Sequence, residues 1–503
     1  MRLALLMLLA NIGYSQKLLS QNQMSNWFFA DSIWIKFTED TFEVGSLPVV
    51  DANATNRNYV IISDSLGNLL FYKDSYYAYN KYGSIMNIDF DINSYVWPGS
   101  SIIIPTQKLL TPYYILSLDD DYSQLSYCIV QFDSIENKYF MNEIACNIFL
   151  DADSTGYGSS RLTVVKHGNG RDWWVVNKIH SLIDSLQPFS VRLFDGNVFA
   201  EPELSYVDSI LEPEYFQHGQ ILFNEKGDKF AMENGKTIRL YSFDRCSGAI
   251  YPECHINSLE SKGLVSIAFS QNGNYLYAAT DGGDAGSPDW VSRIWQFDVN
   301  ESTNCEALED SRQLVYEEEE PYDNWVILSM LLERHSGRIY FSADRRWMTL
   351  GDDTITGPQN LHLHAIMDPN MPGALSNAQE NVIYLNGMRY SNEGLPNMPN
   401  YALGALQGSP CDTIDTANAI VEPLLPTFQA YPNPVNSQLY ISNPFNTNYP
   451  AVVCNLQGQV ICNLDVHPGS NFVDAAYWPN GCYSLQILIE NQTVFRTTLI
   501  NFK

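Results

Sequence analysis

The chain has 503 residues, of which 45% are hydrophobic and 13% aromatic, enough for a large core and too long for one ordinary domain. Its 57 acidic residues against 28 basic ones give a net charge of -29 and a pI near 4.5, which repels phosphate backbones and excludes nucleic acid as an expected partner. No segment reaches the roughly 18 uncharged apolar residues of a membrane helix, so no membrane span is expected.

Residues 1–15 carry one basic residue, Arg2, an apolar run from Leu3 to Ala10, and the small or neutral stretch Gly13-Tyr14-Ser15. This is the pattern of an export signal peptide cleaved between Ser15 and Gln16. No cysteine follows the apolar run where a lipoprotein would be acylated. Nine cysteines are too few for a disulfide scaffold, but export permits bridges. The expected pair is Cys246 with Cys254, across a turn between two short strands. No zinc-like CxxC pair occurs.

From residue 22 to 405 short apolar and aromatic runs alternate with Gly, Asn, Asp and Ser, as in Tyr59-Val60-Ile61-Ile62-Ser63 and Ser101-Ile102-Ile103-Ile104. That is strand and turn grammar, and the segment Ile179–Leu186 is read as loop or short strand rather than helix. A Gly- or Asn-bearing turn followed by an aromatic-rich strand recurs. It appears at Gly67-Asn68, Gly168-Asn169-Gly170, Gly227-Asp228, Gly273-Asn274, Gly337-Arg338 and, with Asn alone, at Asn381-Val382. Two strands ending in Asp, Arg239–Asp244 and Arg293–Asp298, are near copies. A repeat of about 50 to 55 residues suits one four-stranded blade and predicts an all-β propeller of about seven blades. Trp173, Trp174, Trp295 and Trp347 are expected in the packing between blades.

These phrases, with Val165–Gly170, Asp172-Trp173-Trp174, Phe243–Cys246 with Gly248, and Gly394-Leu395-Pro396-Asn397 in this order, resemble the seven-bladed propeller domain of exported Bacteroidota proteins. The resemblance implies fold and export and carries no catalytic activity.

Residues 406–428 shift to Pro, Asp, Thr and Ala and read as a linker. Residues 429–503 contain strands of their own, separated by turns at Gln457-Gly458 and Asn480-Gly481, and predict a small immunoglobulin-like β-sandwich. Tyr431-Pro432-Asn433-Pro434, Asn455–Val460 with Gly458, the stretch 471–474, Pro479-Asn480-Gly481 with Tyr483, and the basic terminus Lys503 resemble the C-terminal sorting domain of the type IX secretion system. The resemblance implies the type IX machinery as a partner and a secreted or outer-surface location.

Sites of chemistry are sparse. Asp151-Ala152-Asp153-Ser154-Thr155-Gly156 opens like a calcium loop, but Leu162 stands where the bidentate acid belongs. Asp281–Gly286 is explained by turn chemistry. His362 and His364 share one strand face without a third ligand. Glu317–Glu320 is a like-charge run of a solvated loop. Asp-Ser/Thr-aliphatic triplets, such as Asp64-Ser65-Leu66, resemble the O-glycosylation acceptor of Bacteroidota. No catalytic, cofactor-binding or metal-ligating residue is assigned, and no cofactor is expected. The function expected is a binding or adhesion scaffold for a glycan or a protein. The alternative is a carbohydrate-active or other hydrolase working at the channel face of the propeller.

Overall fold

The computed structural model describes residues 22–39, 41–49, 58–86, 99–106, 113–118, 125–133, 138–141, 146–148, 158–179, 188–196, 198–207, 219–233, 237–256, 264–280, 291–300, 304–317, 325–345, 359–388, 394–412, 429–432, 434–435, 437–443, 448–455, 459–489 and 492–501. They fall into two compact units, a body ending near Thr413 and a C-terminal unit from Ile414.

The described residues of the body form seven antiparallel sheets in chain order. Their first strands are Asn26–Phe29, Val60–Ser63, Ser101–Pro105, Gly158–Lys166, Ile221–Phe223, Leu264–Phe269 and Trp325–Leu332. The first two sheets have three strands, the last four have four, and the third adds a fifth, Cys146–Ile148, beside its path. Within each sheet the strands run up and down, each pairing with the next in sequence, except that Cys146–Ile148 pairs with Leu125–Asp133.

Burial grades across each sheet. Asn26–Phe29 and Val60–Ser63 are buried at every residue, and Ile102, Ile103 and Ile104 are buried on both faces. That explains their unbroken apolar runs, since a strand covered on both sides has no solvent face to make polar. Outer strands such as Phe42–Ser46, Glu203–Ser205 and Gln313–Glu317 have no fully buried residue.

The first strand of each sheet packs against the first strand of the next. Side chains reinforce the succession: Asn58 donates to Ser101 Oγ at 2.8 Å, and Gln220 Oε1 accepts from Ser266 Oγ and the Ile267 N–H. Ser266 in turn accepts from the Met330 N–H at 2.9 Å. The seventh sheet meets the first, with Trp27 edge-on to Tyr340 at 5.8 Å and Arg334 Nη1 on the Met24 sulfur at 3.2 Å. The body is therefore a closed ring of radial sheets, with the first strands innermost.

The sequence repeat is the first hairpin of a sheet. Gly67, Gly170, Gly227, Gly273 and Gly337 each join a first strand to a second and share a φ between 71° and 78°, where only glycine sits without penalty. The sixth copy is corrected: Asn381, at φ 56°, lies inside the outermost strand Ala378–Tyr384. The near-identical Asp-ending strands are the third strands of the fifth and sixth sheets. Asp244 accepts from the Cys246 N–H and Asp298 from the Asn300 N–H, the same turn in both. A short α-helix, Cys305–Asp310, is capped by Asn304, whose side chain accepts from the Ala307 N–H at 2.9 Å. Ile179 ends the strand Trp173–Ile179, and the rest of the segment to Leu186 lies outside the described residues.

The C-terminal unit pairs a three-stranded sheet, Gln429–Tyr431, Gln438–Asn443 and Gly469–Asp474, with a four-stranded one, Val460–Val466, Tyr449–Asn455, Gly481–Ile489 and Gln492–Asn501. Both contribute to one core that includes Leu439, Ile441, Val453, Leu485 and Ile487. Trp478 and Tyr483 close it, 5.0 Å apart.

Candidate functional site

The innermost strands enclose a central channel, where a ring of this kind would hold a ligand. Here the channel is occupied by the chain itself. Residues 394–406, which follow the last sheet, run across it as a strap. Leu395, Met398 and Tyr401 are buried in the same cluster as Trp27 and Ile103. The Asn397 N–H donates to Tyr59 O at 3.0 Å and its amide to Ser101 O at 2.9 Å. Tyr401, 1% exposed, donates to Ile103 O at 2.9 Å and lies edge-on to Trp173. Burial pushes its phenol well above the usual range, with Arg334 pulling the other way, so it remains a donor.

The cavity left beside the strap is about 80 Å³, lined by Val164, Leu222, Asn224, Phe269, Met330 and Asn397 among others. That is room for a few waters, against the roughly 300–1,000 Å³ of a small-molecule site. Its charges are internally satisfied. Arg334 Nε donates to both Glu225 oxygens at 3.0 Å, and Asn400 Nδ2 donates to the same carboxylate at 3.1 Å. Glu333, outside the cavity lining and 1% exposed, accepts from the His335 and Ser336 N–H groups and from the Ser336 hydroxyl.

The strap leaves the channel through a clasp built from residues 166–174 and 243–248. Arg245, 2% exposed, donates to the carbonyls of Lys166, His167, Lys226 and, at 2.6 Å, Gly404. Burial pushes its pKa down to about 10 and Asp228 draws it back up, so it is charged at neutral pH. Trp174 and Gly168 donate to Arg245 O. His167 Nδ1 accepts from the Asn169 N–H, which leaves Nε2 to donate to Cys246 O at 3.0 Å. The Ser247 hydroxyl, more than the backbone amides of Cys246 and Ser247, holds Asp244 below the usual carboxylate range and stiffens this turn. Gly168 O receives the Leu406 N–H at 2.8 Å.

Disulfides complete the clasp and correct the expected pairing. Cys246 is bonded to Cys411, Cys254 to Cys305, and Cys128 to Cys146. Register forbids Cys246–Cys254, because Cys254 lies opposite Leu240 while Cys246 sits in the turn beyond the strand end. Residues 406–412, expected in the linker, are thus fastened to the body. Cys454, Cys462 and Cys482 are free. A Cβ at Gly168 would collide with the Cys411 sulfur and come within 3.0 Å of that of Cys246. Gly168→Ala is therefore expected to block this bridge, read as two more titratable thiols than the wild type in unfolded, non-reduced protein.

The remaining candidates disperse. Trp173 and Trp174 bridge neighbouring sheets, donating to Pro105 O and Arg245 O. Trp295 lies under Arg312 at 5.0 Å. His364 is buried, stacked on Phe341, and accepts from the Asn381 N–H, while His362 faces Tyr384. Glu317 pairs with Arg293. Among the described residues no three His, Cys, Asp or Glu side chains gather as metal ligands. The calcium-like Asp151–Gly156, Asp281–Gly286, Glu318–Glu320, Trp347, Ser15 and Gln16 lie outside the described residues. Of the sorting motif, Tyr431, Pro432, Pro434 and Gly481 are exposed, and Asn433, Gly458 and Lys503 are outside the described residues.

No curated protein matches the chain. Among solved structures it is similar to the β-propeller domain of Myceliophteria thermophila Cps50 (Swd1), at 10% identity and a TM-score of 0.37, over 64% of this chain and 91% of that one. It is also similar to the Dos1 propeller, at 8% identity and a TM-score of 0.39, over 75% and 88%. An exo-beta-1,3-galactanase from Phanerochaete chrysosporium follows at 8% and 0.32, over 76% and 92%. None of these likenesses bears on activity. Among the described residues no helix is long and apolar enough to cross a membrane. Residues 429–501 match the family model of the secretion system C-terminal sorting domain. The C-terminal unit is a type IX sorting domain, and the chain that carries it is exported, to be secreted or attached at the outer cell surface.

Proposed function

We propose that this is an exported seven-bladed β-propeller with an immunoglobulin-like sorting domain, working outside the cell as a binding scaffold for a glycan or a protein. Residues 22–405 form the propeller, residues 406–412 are fastened to it through Cys411, and residues 1–15 are its removable signal peptide. The observation that carries the reading is the occupied channel. A glycoside hydrolase at that face would need two carboxylates set across the scissile bond. Glu225 and Glu333 instead spend their lone pairs on Arg334, Asn400 and the turn at Ser336. The work of the body then falls to the exposed loops and outer strands, with the strap as internal scaffold.

Glycan and surface-protein arrays probed with the mature chain test this. Retention of an unaltered ligand is the expected result. New reducing ends or peptide fragments that vanish in Glu225→Gln would overturn it in favour of a channel hydrolase.

A further inference from the structure

The outer face of the three-stranded sheet in the C-terminal unit carries an aromatic row with no role in the core. Register sets Tyr431 opposite Tyr440 and Tyr440 opposite Phe472. Their rings are 5.9 and 5.8 Å apart. Tyr431 is 46% exposed and Phe472 55%. The alternate residues Leu439 and Ile441 face inward and are fully buried. The unit thus fills its core from one face and keeps three rings on the other, in a line across all three strands, where solitary surface rings would need no explanation.

The surroundings of the row specify its occupant. Gln438, Ser442 and Ser470 flank it on the same face, offering amide and hydroxyl groups. None of the three strands carries Lys, Arg or His. The single acid, Asp474, accepts from the Ala476 N–H. Such a face lacks cations for phosphate or uronate and has what a neutral sugar requires. Ring faces carry the negative lobe of the aromatic quadrupole and attract the polarised C–H edge of a pyranose, while neighbouring amides and hydroxyls exchange hydrogen bonds with sugar hydroxyls.

We propose that Tyr431, Tyr440 and Phe472 form a binding platform for a neutral polysaccharide chain, laid across the three strands.

Affinity electrophoresis of the full mature chain in gels containing a neutral β-glucan, with alginate as the anionic counterpart, tests this. The wild type is expected to be retarded by the β-glucan and not by alginate. Tyr440→Ser with Phe472→Ser should weaken the retardation about tenfold, and the conservative Phe472→Tyr should keep it. Circular dichroism guards against unfolding, and a serine variant that loses its strand signal is replaced by Phe472→Ser alone. No retardation of the wild type, retardation by alginate alone, or equal retardation of the serine variant would overturn the platform. In the last case the glycan site belongs to the body. Serine variants that block export, with no β-glucan retardation of the wild type, would assign the row to a protein partner instead.

Discussion

Cys411→Ser is expected to destabilise the body more than any other single surface-loop substitution, by about 5 kcal/mol. The Cys246–Cys411 bridge spans 165 residues, and in the chain-entropy account a loop of that length restrains the unfolded state by about this much. The bridge also fastens the strap after it has left the channel, so its loss frees residues 406–412 together with the hydrogen bond from Leu406 to Gly168. Cys246→Ser should match Cys411→Ser, and the double variant should add nothing, because one interaction is removed three ways. Denaturant unfolding of the mature chain measures this, and a midpoint unmoved in both single variants would mean that the bridge constrains nothing.

Tyr401→Ala is the second large effect. The side chain is almost wholly buried, with its ring against Trp173 and its hydroxyl on Ile103 O. Deleting it leaves a cavity between the strap and the inner strands and an unpaired carbonyl, together about 4 kcal/mol. Tyr401→Phe keeps the ring and loses only the hydrogen bond, about 1 kcal/mol. Limited proteolysis gives an independent reading: cleavage within 394–411 should accelerate in the alanine variant and scarcely in the phenylalanine one. A neutral alanine variant would make the strap a surface feature and reopen the channel to ligands.

Both expectations concern residues 394–412, whose first phrase is visible in the sequence while its place in the channel is not. Gly394-Leu395-Pro396-Asn397 stood out as a phrase, yet nothing local marks it as a channel filler. Its buried residues Leu395, Met398 and Tyr401 answer to strands hundreds of residues earlier, through contacts such as Asn397 with Ser101. The lone Cys411 in an otherwise linker-like stretch was the available hint, but pairing among nine cysteines cannot be read without distances.

The ring of sheets was legible for a local reason. A first hairpin that needs φ near 72° requires glycine, so Gly67, Gly170, Gly227, Gly273 and Gly337 leave a mark in every such sheet. The first sheet turns at Ala30, φ 51°, and leaves none. Asn381 mimicked the mark because asparagine tolerates the same backbone region. In the C-terminal unit the motif residues were plain, whereas the row of Tyr431, Tyr440 and Phe472 exists only once register has brought distant strands together.

One unit carries an export address and the other forms a ring of sheets. Expressing the chain without residues 429–503 in a type IX-secreting bacterium, then fractionating the cells, tests this most directly. The truncated body is expected to accumulate in the periplasm, folded and with Cys246 bonded to Cys411, while the full chain reaches the surface or the medium. A truncated body found at the surface would contradict the account.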